Sequence, residues 1–364
     1  MELKRKRDKF VDGSDLIPLE PVDLGSINDF DEALSSMERT AFGGRQLGEA
    51  ASILTEVFTD PHDFTVLTLS GAMTVAKQGL IVCDLIDNHL VDAIVSTGAL
   101  ITHGLTEGLN QHHFKVPTDK NDAELYELGM CRVYDTVELE ASFEHLAHTI
   151  AKHYTRLFPA LDGKTPPSGS ADYLNRLGEI LSETNPDQRS ILLSAFKAKI
   201  PVYMPAFTDC EMSLDLMLRC FMGDKSFSIK PFEKMLIPPF NCFADVYDFA
   251  KKIYQHEGTL SIFTIGGGVP RNWAQQVTPF FDIMYLEGLP VAPKKYSRGV
   301  RICPEPDHWG GLSGCSYKEG VSWAKFVHPS EGGKYAEVHA DATTVLPFLI
   351  KGVMQRIKKA NKRK

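Results

Sequence analysis

FTVLTLSG (64–71) and VDAIVSTG (91–98) together decide the fold. Each is a run of β-branched and apolar residues that stops at a glycine. Neither shows the polar alternation of a strand with one wet face, so both read as buried strands. A helical apolar spacing fills the interval to about His89. Parallel strands need a crossover of a dozen or more residues, usually a helix, and the interval leaves room for one. The pattern recurs further along: KIPVYMPAF (199–207) and TLSIFTIG (259–266) read as buried strands, and FDIMYLEG (281–288) is a further strand candidate. Alternating apolar strands and helices predict an α/β fold. The expected architecture is a Rossmann-like, doubly wound, mainly parallel sheet with helices on both faces.

Outward from this centre, Ala51, Ile53, Leu54, Val57 and Phe58 mark one face of a helix between Gly48 and Phe58. Residues 1–40 read as an irregular N-terminal arm, 41–352 as a single domain and 353–364 as a basic tail. DGKTPPSGSA (162–171) is a loop rich in Gly, Pro and Ser. Residues 289–320 are Gly/Pro-rich with little periodicity, and a loop that long is usually functional or disordered.

Composition limits the function. The 364 residues are 43% hydrophobic and 24% charged, as in an ordinary soluble globular protein. A net charge of −8 argues against a nucleic-acid-binding body. The basic ends, MELKRKR and KKANKRK, read as solvated. No apolar run reaches the roughly 20 residues that cross a bilayer, and no apolar core follows the basic start as in a secretory signal. Cys83, Cys131, Cys210, Cys220, Cys242, Cys303 and Cys315 are odd in number and form no C-x-x-C pair. A cytoplasmic setting without a disulfide framework is therefore expected.

Three small-residue turns stand where ligands bind in open α/β sheets, at the carboxyl ends of strands. They are SGAMT (70–74), STGA (96–99) and IGGGVPRNW (265–273). Consecutive glycines at a helix start let backbone N–H groups approach a phosphate, although this is not G-x-G-x-x-G and a plain tight turn is the other reading. Asp209 follows a strand and suits either a ribose hydroxyl, a substrate amine or a helix N-cap. Asp341, ahead of an apolar helix, invites the cap reading again.

PDHWGGLSGCSYKEGVSWAKF (306–326) gathers Trp309, Glu319, Trp323 and Lys325 among four glycines. Trp beside a carboxylate suits an amine cation. A partly desolvated lysine suits imine formation, and a surface ion pair is the alternative. Ser322-Trp323-Ala324-Lys325 also spells S-x-x-K, but the S-D-N and K-T-G elements of serine acylases are missing. His112, His113, His145, His148 and His153 lack a metal-binding spacing and read as solvated; no metal is expected.

VSTG (95–98), TIGGGVP (264–270), EGVSWAK (319–325) and ADATTVLPFLI (340–350) resemble, in order and spacing, the deoxyhypusine synthase family, over roughly residues 40–352. ICPEP (302–306) and WGGLSGC (309–315) resemble its bacterial deoxyhypusine synthase-like branch. The resemblance implies NAD as cofactor, small amine substrates and a homotetramer with sites at a dimer interface. It further implies transfer of a 4-aminobutyl or 4-guanidinobutyl group through an imine on Lys325. On it, Glu319 and Trp323 bind substrate. Gly71, Ala72, Met73, Thr74, Val75, Thr97, Gly98, Ala99, Asp209, Gly267, Asp341 and Ala342 fall on NAD-contacting positions.

The chain departs from the family pattern at four places. Asn272 stands where protein-modifying members keep a histidine. Thr102 and His103 stand in place of paired acids, Leu312 in place of an aspartate, and Leu214 in place of an acid, with Asp215 next to it. His103 or His308 is the expected substitute proton carrier. The losses imply small amines, agmatine-type guanidino compounds among them, ahead of a protein acceptor; a true deoxyhypusine synthase acting on an initiation factor 5A precursor and a non-catalytic NAD-binding regulatory paralogue are the alternatives.

Overall fold

The structure, a computed structural model, describes residues 13–159, 168–222 and 241–362. Nine strands are present among them: β1 Asp63–Leu69, β2 Ala93–Ser96, β3 His113–Lys115, β4 Met130–Val133, β5 Thr136–Leu139, β6 Val202–Tyr203, β7 Thr259–Ile265, β8 Arg298–Ile302 and β9 Lys334–Val338. Six form one sheet in the order β6-β2-β1-β7-β8-β9, with every pairing parallel. The order turns back between β1 and β7, which is the topological switch point of a doubly wound sheet. Register pairs Leu69 with Ile265 there. Ser70-Gly71 and Gly266-Gly267 therefore leave the sheet side by side.

Strand alternation builds a core on each face. Leu67, Phe263 and Val300 pack with Leu54, Leu85, Leu192 and Leu346 from helices Phe42–Thr59, Gly79–Asp87, Ile191–Ala198 and Ala342–Lys362. Val66, Val95 and Ile262 pack on the other side with Phe249, Ala274 and Phe281 from helices Cys242–Gln255, Gly268–Gln275 and Val277–Leu286. Each of the buried Val, Leu, Ile and Phe side chains contributes about 1.5–3 kcal/mol relative to exposure. The α/β architecture with helices on both faces is the expected one.

Several elements differ from expectation. FDIMYLEG is not a strand: helix Val277–Leu286 covers most of it, burying Val277, Thr278 and Phe281. That i, i+1, i+4 spacing is helical. The segment 289–320 contains β8, hidden because its sequence RGVRI carries two arginines. KIPVYMPAF yields only the two-residue β6. The segment read as an irregular arm holds helix Phe30–Glu38. The C-terminal segment continues helix Ala342–Lys362, whose Arg356 and Lys359 pair with Asp31 at 2.6 and 3.0 Å. The loop at 162–171 lies outside the described residues up to 167, and Ser170 opens helix Ser170–Thr184. MELKRKR also lies outside them.

A second sheet was not legible. β3, β5 and β4 form an antiparallel sheet, in which His113 is the register partner of Glu138.

Candidate active site

Ser316 starts the helix Tyr317–Ser322 by accepting a hydrogen bond from the Glu319 N–H at 3.1 Å. Glu319 and Trp323 stand four residues apart, on one side of that helix. Ala324 then adopts a left-handed conformation (φ +57°), and the Lys325 N–H donates to the Gly320 carbonyl at 3.1 Å. The Lys325 carbonyl accepts from the Tyr296 N–H, also at 3.1 Å. Gly320 admits the Phe326 ring, since a Cβ there would meet its Cδ2 at 2.5 Å. The lysine backbone is thus held on both sides.

Its side chain enters a cavity of ≈ 220 Å³ shared with Asn272, Gln275, Cys315, Glu319 and Trp323. Lys325 Nζ donates to Asn272 Oδ1 at 2.9 Å. Burial lowers the lysine pKa from its ordinary value, and the neighbouring Arg271 guanidinium lowers it further; Cys315 and Glu319 act in the opposite sense. Arg271 is itself buried, donating to the Cys315 carbonyl at 2.6 Å and lying 5.3 Å from the centre of the Tyr317 ring. Arg301 of β8, also buried, shares the Cys315 carbonyl at 3.0 Å and pairs with Glu337 of β9. One carboxylate thus faces two buried guanidiniums, and Lys325 sits on the positive side of that imbalance. A lysine so placed suits nucleophilic amine chemistry. Glu319 and Trp323 are exposed at the mouth.

The second part of the site is the crevice at the switch point. Gly266 has φ +82°, and a Cβ on it would lie 2.3 Å from Ser70 Oγ. The Gly267 N–H donates to that same Oγ at 2.8 Å, and a Cβ on Gly267 would meet Ser313 Cα at 2.6 Å. Only glycine lets these three segments close together. Gly268 opens the helix that carries Arg271 and Asn272, so the unpaired amides of its first turn face the strand ends. Gly71 (φ +78°) is exposed, with open space where a side chain would be. The residues present fit a dinucleotide phosphate: open backbone, no side chain in the way and a helix start behind.

The expected site residues divide. Lys325, Asn272, Glu319 and Trp323 share the cavity. Gly71, Ala72 and Gly267 lie on the turns after β1 and β7, while Thr97 caps, and Gly98 and Ala99 open, the helix Gly98–Gly108 after β2. Met73, Thr74 and Val75 are buried, with the Thr74 hydroxyl donating to the Leu100 carbonyl, so their side chains face the core. Gly98 is pressed against Cys210. Asp209 is exposed, one residue ahead of the cap position, where the Cys210 carbonyl accepts the first helical bonds. Asp341 does cap its helix, accepting from the Thr343 N–H at 2.8 Å, and Ala342 is buried.

Asp215, His103 and His308 do not line the lysine cavity. Asp215 lies on helix Glu211–Met222, and His308 is exposed beside Trp309. His103 Nδ1 lies 2.5 Å from Glu138 Oε2, so His103 belongs to a different cluster. The solvated reading fails for His113, whose side chain is 2% exposed. Burial opposes charge on Glu138, but the adjacent imidazoles of His103 and His113 and the Thr106 hydroxyl outweigh it and hold the carboxyl at about 2. The reading of the sequence passed over Arg271 and Cys315. Their only sequence signal was a place inside the two glycine-rich motifs.

The deoxyhypusine synthase profile matches residues 32–353. An Archaeoglobus fulgidus protein named "Probable deoxyhypusine synthase 2" is 32% identical over 319 residues, covering 87% of this chain and 96% of that one. A "Deoxyhypusine synthase-like protein" of Chlorobaculum parvum is 28% identical over 321 residues, covering 87% and 83%. The crystal structure of an Entamoeba histolytica protein assigned as a deoxyhypusine synthase superposes with a TM-score of 0.53 at 13% identity, covering 93% and 97%; that likeness concerns the fold.

Proposed function

This chain belongs to the deoxyhypusine synthase family, and from that premise we propose an NAD-dependent transferase that moves a 4-aminobutyl or 4-guanidinobutyl group between amines through an imine on Lys325. The observation that carries this reading is the environment of Lys325. Its nitrogen is half-buried, meets the neutral amide of Asn272 and lies near the buried Arg271. A carboxylate partner would hold the ammonium form; an amide oxygen adds no net charge, so the nucleophilic amine is more accessible.

Glu319 and Trp323 hold a cationic amine at the mouth by charge pairing and cation–π contact. The turns after β1, β2 and β7 would hold NAD, which when bound supplies a hydride acceptor that returns the hydride, leaving no net redox change. Once the donor carbon has lost hydride and become an imine, Lys325 would add to it, the donor nitrogen bonded to that carbon would leave as a small amine carrying a Lys325 proton, and Lys325 would hold the imine until the returned hydride reduces the final product. An acceptor amine then displaces Lys325 in the same way. Asn272 cannot take a proton, so the cavity carboxylate, Glu319, is assigned that role. The assembly proposed is a homotetramer with sites shared at a dimer interface.

A second reading, transfer to a lysine of an initiation factor 5A precursor, is favoured by the exposure of Leu312 and Trp323 at the mouth of the cavity. Borohydride reduction during turnover, with NAD and a panel of spermidine, agmatine, diamines and that precursor, tests both. A substrate adduct on Lys325 is expected, and the labelled product identifies the acceptor. Undiminished turnover by Lys325→Arg would overturn the imine.

A further inference from the structure

We propose that His103, His113 and Glu138 form a binding site for one divalent transition-metal ion of the zinc class, separate from the lysine cavity. The three ligand atoms lie within 4.8 Å of one another. His103 Nδ1 is 2.5 Å and His113 Nε2 3.0 Å from the same oxygen, Glu138 Oε2. His113 comes from β3 and Glu138 from β5, and strand register places the two side by side. His103 comes from the helix Gly98–Gly108 packed above them. The set therefore rests on regular elements.

The orientation of His113 points to a metal. Its side chain is almost wholly buried, yet Nε2 has no hydrogen-bond partner, because its approach to Glu138 lacks donor geometry. A buried imidazole nitrogen left so is costly unless something else uses its lone pair. The other nitrogen, Nδ1, lies 3.3 Å from Glu107 Oε1 and 3.2 Å from Lys77 Nζ, which is itself paired with Glu107. A metal-bound histidine commonly gives its second N–H to a carboxylate; Glu107 is the carboxylate within reach of Nδ1, which would leave Nε2 for the ion. Glu138 is supported similarly: its other oxygen accepts from Thr106 Oγ1 at 2.6 Å.

Two imidazoles and one carboxylate are a ligand set of zinc and its first-row neighbours, whose bonds to such atoms run about 2.0–2.2 Å. Tetrahedral coordination needs ligand atoms roughly 3.4 Å apart. The two imidazole nitrogens, 2.5 and 3.0 Å from the carboxylate oxygen, would move outward by about 0.4–0.9 Å to reach this, leaving a fourth position for water. His103 stands six residues beyond Thr97 on one helix, about 9 Å along its axis. The ion would thus brace the helix whose first turn borders the crevice.

The test uses the full chain, stripped with a chelator and titrated with Zn²⁺ and then with Co²⁺. One ion per chain is expected, and the visible Co²⁺ spectrum should be that of a tetrahedral nitrogen–oxygen site. His113→Ala should weaken Zn²⁺ affinity by more than 100-fold. Glu107→Gln, which spares the ligands, should weaken it about 10–100-fold with thermal unfolding of the metal-free protein little changed. Absence of stoichiometric Zn²⁺ binding, or equal affinity in wild type and both variants, would overturn the site and leave a metal-free His113–Glu138 ion pair.

Discussion

Lys325 Nζ lies 2.9 Å from Asn272 Oδ1, and the two side chains come from opposite walls of one cavity, 53 residues apart in sequence. The pairing joins the glycine turn after β7 to the C-terminal lysine segment, so the helix that opens at the crevice, Gly268–Gln275, also carries the partner of the lysine.

Asn272→Asp places a carboxylate on that nitrogen. The new charge offsets Arg271 and favours the ammonium, raising the lysine pKa. Borohydride trapping at pH 8 should fall about tenfold for each pKa unit gained, and its pH profile should move to higher pH. Arg271→Gln should move it the same way, because it removes the like charge that helps burial depress Lys325. Unmoved profiles in both variants would contradict the electrostatic account of this amine.

Ala324 carries the left-handed bend just before Lys325. The conformation costs an L-residue about 1–2 kcal/mol, whereas glycine adds about 0.5–1 kcal/mol of unfolded-state entropy. Ala324→Gly should therefore raise stability by about 0.5 kcal/mol. Ala324→Val, β-branched at positive φ, should destabilise by more than 1 kcal/mol and lower trapping on Lys325. Urea unfolding with adduct mass spectrometry reads both.

Asp63, at the start of β1, has its carboxyl pushed up to about 6 by burial, against the Ser261 hydroxyl and Arg298, which lower it. Its Oδ1 is buried without a hydrogen-bond partner. A folded-state pKa above the unfolded one means that the native state binds more protons between about 3.8 and 6. Stability from this group therefore falls as pH rises through that window, and the cost of the buried charge is complete above it. Asp63→Asn should be more stable than wild type at pH 7.5, by on the order of 3 kcal/mol, with the gain shrinking to roughly half by pH 5. Denaturant midpoints at the two pH values check this; a gain independent of pH would assign it to packing.

The buried strands β1, β2 and β7 were legible because both faces are built mostly of β-branched and apolar residues, and a strand wet on neither side leaves that trace in composition. β8 was not, since Arg301 lies inside the sheet and is tolerated there because Glu337 stands opposite it on β9 and the Ser313 and Cys315 carbonyls accept its hydrogen bonds. The helix Val277–Leu286 was mistaken for a strand, as a short apolar run carries no period that separates the two. In the site, Lys325, Glu319 and Trp323 were readable because they lie within seven residues and carry unusual chemistry. His113 was not: β3 is three residues long, too short for a pattern, and only its register with Glu138 makes it a buried partner rather than a solvated side chain.

By itself, then, the order of residues determined the alternating architecture, the glycines at the switch point and the lysine segment, because local sterics and apolar burial act over a few neighbouring positions. Only the tertiary structure decided that Asn272 and Arg271 set the charge around Lys325, and that His103, His113 and Glu138 converge. Those depend on elements far apart in the chain meeting at distances of 3 Å, where electrostatics is strong and sequence spacing carries no information.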